Sequence, residues 1–359
     1  MRALALLCVL LGALGSPCLA SSGDEAPEYR GCLYHCVEGS GGRGQVHSPL
    51  CVPGDGDQGS AAPPIILRWT AWTCETDCGY LCMWAVEGPE VRAALQQPTP
   101  RHPTPWRPTP PPHAHAAQKY HGKWPFTRWL GLQEPLSSVA SLLNAAAHAR
   151  ALRALWRAGR RGGPPYLAHC LLSLAAWLAS AAFHARDTRV TERADYFLAG
   201  AVVALGVYVT ALRTLRCVGA AAPRRRAALG AVLGVAYLAR VHAMLTRRFD
   251  YGGWVVACLA LGLLQTLLWL RWAWWTREGA THPSRRSLLV FIASLNAASL
   301  LEVLDFPPLL WHTLDAHAVW HLATIPLWAL WYRFVLLDLQ AGQVMWSLPL
   351  DSAGEDKEL

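Results

Sequence analysis

Seven apolar segments follow one another between residues 129 and 337, at 129–149, 166–184, 194–214, 227–246, 254–275, 287–304 and 316–337. Each is close to the ~20 residues that cross a bilayer as a helix. A chain built this way has lipid as the solvent for most of its length. The predicted fold class is therefore an all-α membrane protein, a seven-transmembrane helix bundle. Composition agrees: 53% of residues are hydrophobic and only 16% charged, where a soluble chain carries nearer a quarter. The net charge of +8 does not mark a nucleic-acid face, because the arginines sit in short blocks between the apolar segments.

Those blocks set an orientation. Arg150, Arg153, Arg157, Arg160 and Arg161 follow the first segment; Arg213, Arg216 and Arg224 to Arg226 follow the third; Arg271, Arg277, Arg285 and Arg286 follow the fifth. The other links are poorer in basic residues. By the positive-inside rule the basic links face the cytosol, which leaves the N-terminal region in the lumen and the acidic tail, 338–359, in the cytosol. The N-terminus agrees. Met1-Arg2, the apolar run Ala3 to Leu14 and the small end Cys18-Leu19-Ala20 read as a signal peptide over 1–20.

Residues 21–97 form a short lumenal head with six cysteines: Cys32, Cys36, Cys51, Cys74, Cys78 and Cys82. In an oxidising lumen these imply three disulfides of open connectivity, in preference to a zinc site. A Pro-rich linker, 98–128, joins the head to the membrane domain, 129–337; its 98–118 stretch is low-complexity and extended.

Polar groups inside a membrane are expensive, so each is a candidate for function. Ser180 and His184 are four apart near the end of the second segment, and Asp195 opens the third. His317 and His321 are four apart at the start of the seventh, just after Asp315. Residues four apart share a helix face, and an i, i+4 His pair offers two nitrogens to one metal. The orientation places all five at one lumenal depth. Three neutral imidazoles leave the fourth position of a tetrahedral zinc open for water, whose pKa zinc lowers to about 7. The expected site is thus His184, His317 and His321 as zinc ligands, with Ser180 and Asp195 as catalytic partners. Glu134 and Glu302 lie toward the same side, where each can hydrogen-bond a ligand histidine; Asp305 reads as a helix-end carboxylate. His148, His169, His242, His282 and His312 lack such company and read as structural or interfacial. Trp269, Trp272, Trp274 and Trp275 read as an aromatic belt at the cytosolic interface.

The Ser-x3-His…Asp pattern and the terminal His-x3-His resemble a superfamily of seven-helix membrane hydrolases that includes the alkaline ceramidases and adiponectin receptors. Within it, His121-Gly-Lys-Trp-Pro-Phe126, Gln133-Glu-Pro135, Phe183-His-Ala-Arg-Asp187, Arg248-Phe-Asp-Tyr-Gly252 and Leu304-Asp-Phe-Pro-Pro308 are similar to the Per-like branch. The resemblance covers nearly the whole mature chain. It implies a Golgi (or also ER) multi-pass enzyme acting on GPI-anchored proteins and membrane lipids. The implied reaction removes the sn-2 acyl chain by zinc-dependent, phospholipase A2-type ester hydrolysis, during GPI-anchor remodelling. A ceramidase-like amidase, and a non-catalytic lipid sensor or cargo chaperone, are the alternative readings. The 98–118 stretch, the Gly253-Trp254 pair after Asp-Tyr-Gly and the absence of an Asn-x-Ser/Thr site depart from the family pattern. The acidic calcium site that ceramidases carry before the first helix has no counterpart around Lys123-Trp124-Pro125, so no calcium is expected.

Overall fold

The fold is that of a computed structural model, which describes residues 21–38, 46–51, 65–95, 117–157, 163–215, 222–247 and 249–341. The expected signal peptide, most of the Pro-rich stretch and the end of the tail lie outside the described residues. Every regular element among the described residues is a helix.

The head holds α1 (Ser22–Glu25), α2 (Pro27–Glu38), α3 (Ile65–Trp69) and α4 (Cys74–Leu95). The Cys-x3-Cys spacing puts Cys32 and Cys36 on one face of α2, and Cys78 and Cys82 on one face of α4. The helices run antiparallel and join through Cys32–Cys82 and Cys36–Cys78, while Cys51–Cys74 ties in the intervening loop. So small a unit buries little apolar surface. Its core is the buried half-cystines with Tyr29, Met83 and Tyr120, and three cross-links supply what the core lacks.

The membrane domain follows as α5 (Pro135–Arg157), α6 (Pro164–Ala185), α7 (Arg189–Thr214), α8 (Ala222–Thr246) and α9 (Tyr251–Trp275). After these come α10 (Arg277–Thr281), α11 (Arg285–Ser299), α12 (Leu301–Leu304), α13 (Ala316–Thr324) and α14 (Leu327–Ala341). Helix α5 packs on α6 and α6 on α7; α7 carries α8 and α9; α13 and α14 return against α5 and α11. Among the described residues, six units are long and apolar enough to cross a membrane: α6, α7, α8, α9, α11 with α12, and α13 with α14. Helix α5, expected as the first of seven spans, is not among the six. Its 23 residues include Ser137, Ser138, Ser141, Asn144 and His148, all buried. These polar residues lower its overall hydropathy, and they face inward.

Boundaries shift where local chemistry overrides the apolar run. The first helix starts at Pro135, not 129, because Trp129–Leu132 closes a turn with Leu130 at φ 50° and Gly131 at φ 78°. Pro135 has no N–H to satisfy and suits a first helical position. Pro326, also lacking an N–H, divides the last span into α13 and α14. Helix α14 continues to Ala341, so Asp338 is a buried helical residue and not the start of the tail.

The aromatic-belt expectation fails for part of its set. Trp274 and Trp275 are exposed, but Trp269 and Trp272 are 1% exposed and form a core with Tyr166, Leu288, Trp331 and Phe334. Helix α9 turns those two indoles inward against α11 and α14. Lipid is as apolar as these rings, so what holds them there is close packing, not expulsion from water.

The head sits on the end of the bundle where α6 finishes and α13 begins. Trp72 Nε1 donates to Gly131 O at 2.8 Å. Arg128 ion-pairs with the fully buried Asp77 and stacks on Trp72 and Tyr80, and Arg186 stacks on Trp72 as well.

Candidate metal centre

Four helix ends meet under the head. Residues 133 and 134 run beside the end of α6, where Gln133 N donates to Ala185 O and Glu134 N to His184 O, both at 2.9 Å. These bonds satisfy carbonyls that a helix C-terminus leaves open. Thr188 and Thr191 form a capping box that starts α7. Asp315 caps α13, accepting from Ala318 N at 2.7 Å. His184, Asp195 and His317 are therefore carried to one level, and His321 follows one turn below His317.

The three imidazoles come together. His321 Nε2 lies 2.8 Å from His317 Nε2, which lies 3.3 Å from His184 Nε2. His184 and His321 are buried, and His317 is partly so. Each outer nitrogen is held. His184 Nδ1 donates to Glu134 Oε2 at 2.7 Å, and His317 Nδ1 donates to Glu302 Oε1 at 2.8 Å. His321 Nδ1 is 3.2 Å from Ser141 Oγ. Ser141 donates its single hydroxyl hydrogen to Ser137 O at 2.8 Å, so toward His321 it is an acceptor.

Those partners fix the tautomers. A carboxylate, or a hydroxyl already spent as a donor, requires N–H at each Nδ1, which leaves each Nε2 as a lone pair. In the neutral forms three lone pairs then converge, with His317 Nε2 at hydrogen-bond distance from the other two. Neutral imidazoles in that arrangement repel unless a cation lies among them. The donor set thus fits a metal that takes imidazole nitrogen, zinc among them, and the outer hydrogen bonds are those that orient ligand histidines elsewhere.

Ser180 and Asp195 adjoin this cluster. Ser180 Oγ is 3.2 Å from Ser141 Oγ, and the Asp195 carboxylate faces Ser180, His184 and His317. All five residues expected at the site lie together. Asp305 lies apart and takes Lys119 Nζ at 2.5 Å and Trp124 Nε1 at 2.9 Å.

Spacing alone does not single out Ser141, Asn144 or Lys123. Asn144 Nδ2 donates to His321 O at 2.9 Å, while its Oδ1 accepts from Trp328 Nε1 at 2.7 Å. Lys123 reaches in from the segment before α5 to Glu134 Oε1 at 2.5 Å and Asp187 Oδ2 at 3.2 Å. Burial pulls the Lys123 pKa down, but the two carboxylates outweigh it and raise it, so the ammonium stays charged and completes a Lys123–Glu134–His184 chain. One signal was available for Ser141 and Asn144: they continue the polar stripe of α5 at helical spacing.

His148, by contrast, is closed off. Its Nδ1 is 2.6 Å from Tyr332 Oη, and its Nε2 accepts from Trp177 Nε1 at 3.1 Å. Both nitrogens are used within the protein, as the structural reading of that residue expects.

The fold and the site define a multi-pass helical membrane protein with a disulfide-linked head over a three-histidine cluster. The model of the Per1-like family matches residues 64–339. Proteins named GPI-specific phospholipase A2-like PGAP3 are 37% identical in Danio rerio, over 90% of this chain and 92% of that protein, and 36% identical in Homo sapiens, over 99% of each. The Drosophila melanogaster protein named post-GPI attachment to proteins factor 3 is 34% identical over 95% of this chain and 96% of its own. No solved structure matches. The chain belongs to the Per1-like family.

Proposed function

We propose that this chain is a zinc-dependent acyl hydrolase that removes the sn-2 fatty acid from GPI-anchored proteins at the lumenal leaflet of the Golgi. The observation that carries the reading is the convergence of three Nε2 lone pairs, each imidazole fixed from behind by Glu134, Glu302 or Ser141. The names of the relatives supply the substrate class.

In this reading His184, His317 and His321 hold the ion. Zinc supplies Lewis acidity and acidifies a water molecule for ester hydrolysis. The protein's own groups do the rest. Glu134 and Glu302 fix the tautomer and aim of two of these rings, and Ser141 does so for the third. Ser180 has one hydroxyl hydrogen and two acceptors in reach, Ser141 Oγ and Asp195. It is free to turn that hydrogen toward the oxygen of an acyl carbonyl as negative charge builds there. Asp195 then orients Ser180 or takes a proton from the attacking water.

Helix α5 is the proposed seventh span. It packs between α6 and the α13–α14 unit, and its polar stripe is directed at the site, away from lipid. Counting it restores an alternation in which the basic links share one side and the head and histidines share the other.

The test is the anchor itself. In cells without this activity, the wild-type chain is expected to return surface GPI proteins to remodelled, saturated anchors by mass spectrometry. His317→Ala, expressed equally and reaching the Golgi, is expected to leave the unsaturated chain in place. Normal anchors from that variant contradict the catalytic assignment. Release of fatty acid by the purified protein from ceramide, but not from GPI lipid, favours the amidase instead.

A further inference from the structure

The end of the molecule that carries the histidines also carries exposed apolar side chains that the metal site does not use. Ile65 and Trp69 on α3, Trp129 and Leu130 before α5, and Leu310 and Trp311 before α13 are each between 55% and 80% exposed. Three chain segments contribute them, and contacts stitch those segments together. Thr70, next to Trp69, packs on Gly131, where an added Cβ would come within 2.4 Å of Thr70 Oγ1. Thr127 N donates to His312 O at 2.9 Å, tying the turn before α5 to the turn before α13.

The backbone of these segments is unusual. Ala71, Leu130, Leu310 and Trp311 have φ of 56°, 50°, 42° and 54°, the left-handed region that residues with a Cβ rarely enter. Such strain persists only where surrounding structure imposes it. Here it accompanies large apolar side chains presented outward, an unfavourable outcome in water.

We propose that α3 of the head and the turns at 129–132 and 309–312 form one membrane-docking face whose occupant is lipid. The face is continuous with the membrane spans. Leu130 lies five residues before α5 and Trp311 five before α13, so both turns lie where those helices leave the hydrocarbon. Tryptophan is favoured at that level. Arg68 is exposed between Ile66 and Trp69, beside the phosphates that lipid headgroups would offer. The head is then a unit laid against the leaflet next to the histidine cluster. This does not rest on the catalytic reading, only on the bundle crossing a bilayer.

The full chain in phospholipid nanodiscs provides the test. A nitroxide is attached at Trp69→Cys in a background with Cys170, Cys217 and Cys258 changed to Ala, and Tyr34→Cys on α2 serves as an exposed head control. At position 69, collision with oxygen is expected to exceed collision with a water-soluble nickel chelate several-fold, with the order reversed at position 34. Nickel access at 69 equal to that at 34 overturns the proposal. So does shielding from both colliders, the result of another protein segment covering the face. A second measurement needs no substitution. A phospholipid with a diazirine near its headgroup is expected to label peptides spanning 65–69 and 309–312 of the unaltered chain; no adducts there overturns the proposal.

Discussion

Each end of the bundle buries a cluster of polar side chains, and the two are built on different rules. At the end away from the head, Arg213 donates through Nε to both carboxylate oxygens of Asp338, at 2.8 and 2.9 Å, and through Nη2 to Glu278 at 2.5 Å. Tyr166 Oη donates to Asp338 at 2.9 Å. Arg213 and Asp338 are each 1% exposed. In each of these bonds a donor meets an acceptor, and the arginine's charge lies against carboxylates. At the head end the carboxylates are spent on the outer nitrogens of histidines, and the inner nitrogens are left facing each other as like groups. A cluster that closes on itself holds helices together. A cluster that aims several acceptors at one point has capacity for something the chain does not supply.

Breaking the closed cluster is expected to have the largest effect. Arg213→Met strands Asp338 without its cation, and loss of one partner from a buried pair costs about 3–5 kcal/mol. The expected outcome is a sharp fall in the yield of folded protein and in apparent Tm. The metal content of whatever folds is unchanged, as metal analysis of the monodisperse fraction would show. At the other end the two readouts exchange. His317→Ala is expected to abolish zinc retention through dialysis while the head disulfides and helical content remain, checked by elemental analysis and circular dichroism.

Changes behind the ligands come next. Glu302→Gln removes the charge behind His317 and is expected to weaken zinc binding roughly 10–100-fold, measured by competition with a chelator. Lys123→Met acts one step further back, through Glu134, and is expected to fall at or below the low end of that range. An effect of Lys123→Met equal to that of His317→Ala would break the distinction between ligand and support. The smallest effect is at the head. Trp72→Phe removes one hydrogen bond to Gly131 O, worth about 1 kcal/mol, and is expected to lower Tm slightly with zinc affinity intact.

The clustering of the three histidines is legible in the sequence because its signal is local. His317 and His321 share a helix face by spacing, and the charged links orient His184 and Asp195 toward the same side. The supporting residues are less visible because their roles depend on neighbours distant in the chain. Ser141 accepts from His321, 180 residues away, and only a tertiary structure shows that its own hydrogen is already used on Ser137. Lys123 belongs to a turn segment with no periodicity. Trp269 and Trp272 show the reverse problem. A run of indoles at a helix end has the composition of an interfacial belt, and only the packing of α9 against α11 and α14 reveals which rings turn inward. The cysteine spacing announced the head, and the pairing became readable once α2 and α4 lay antiparallel. The start of α5 was hidden by an apolar turn, since hydropathy does not register the positive φ of Leu130.

The central claim is that three imidazoles are held ready for one metal ion. Elemental analysis with zinc X-ray absorption on the full chain, purified from zinc-replete cells without chelator, tests it most directly. The account predicts about one zinc per chain with nitrogen ligands at about 2.0–2.1 Å, lost in His317→Ala and kept in Trp72→Phe. Wild-type protein that remodels GPI anchors while holding no metal, or zinc that persists in His317→Ala at wild-type stoichiometry, would contradict it.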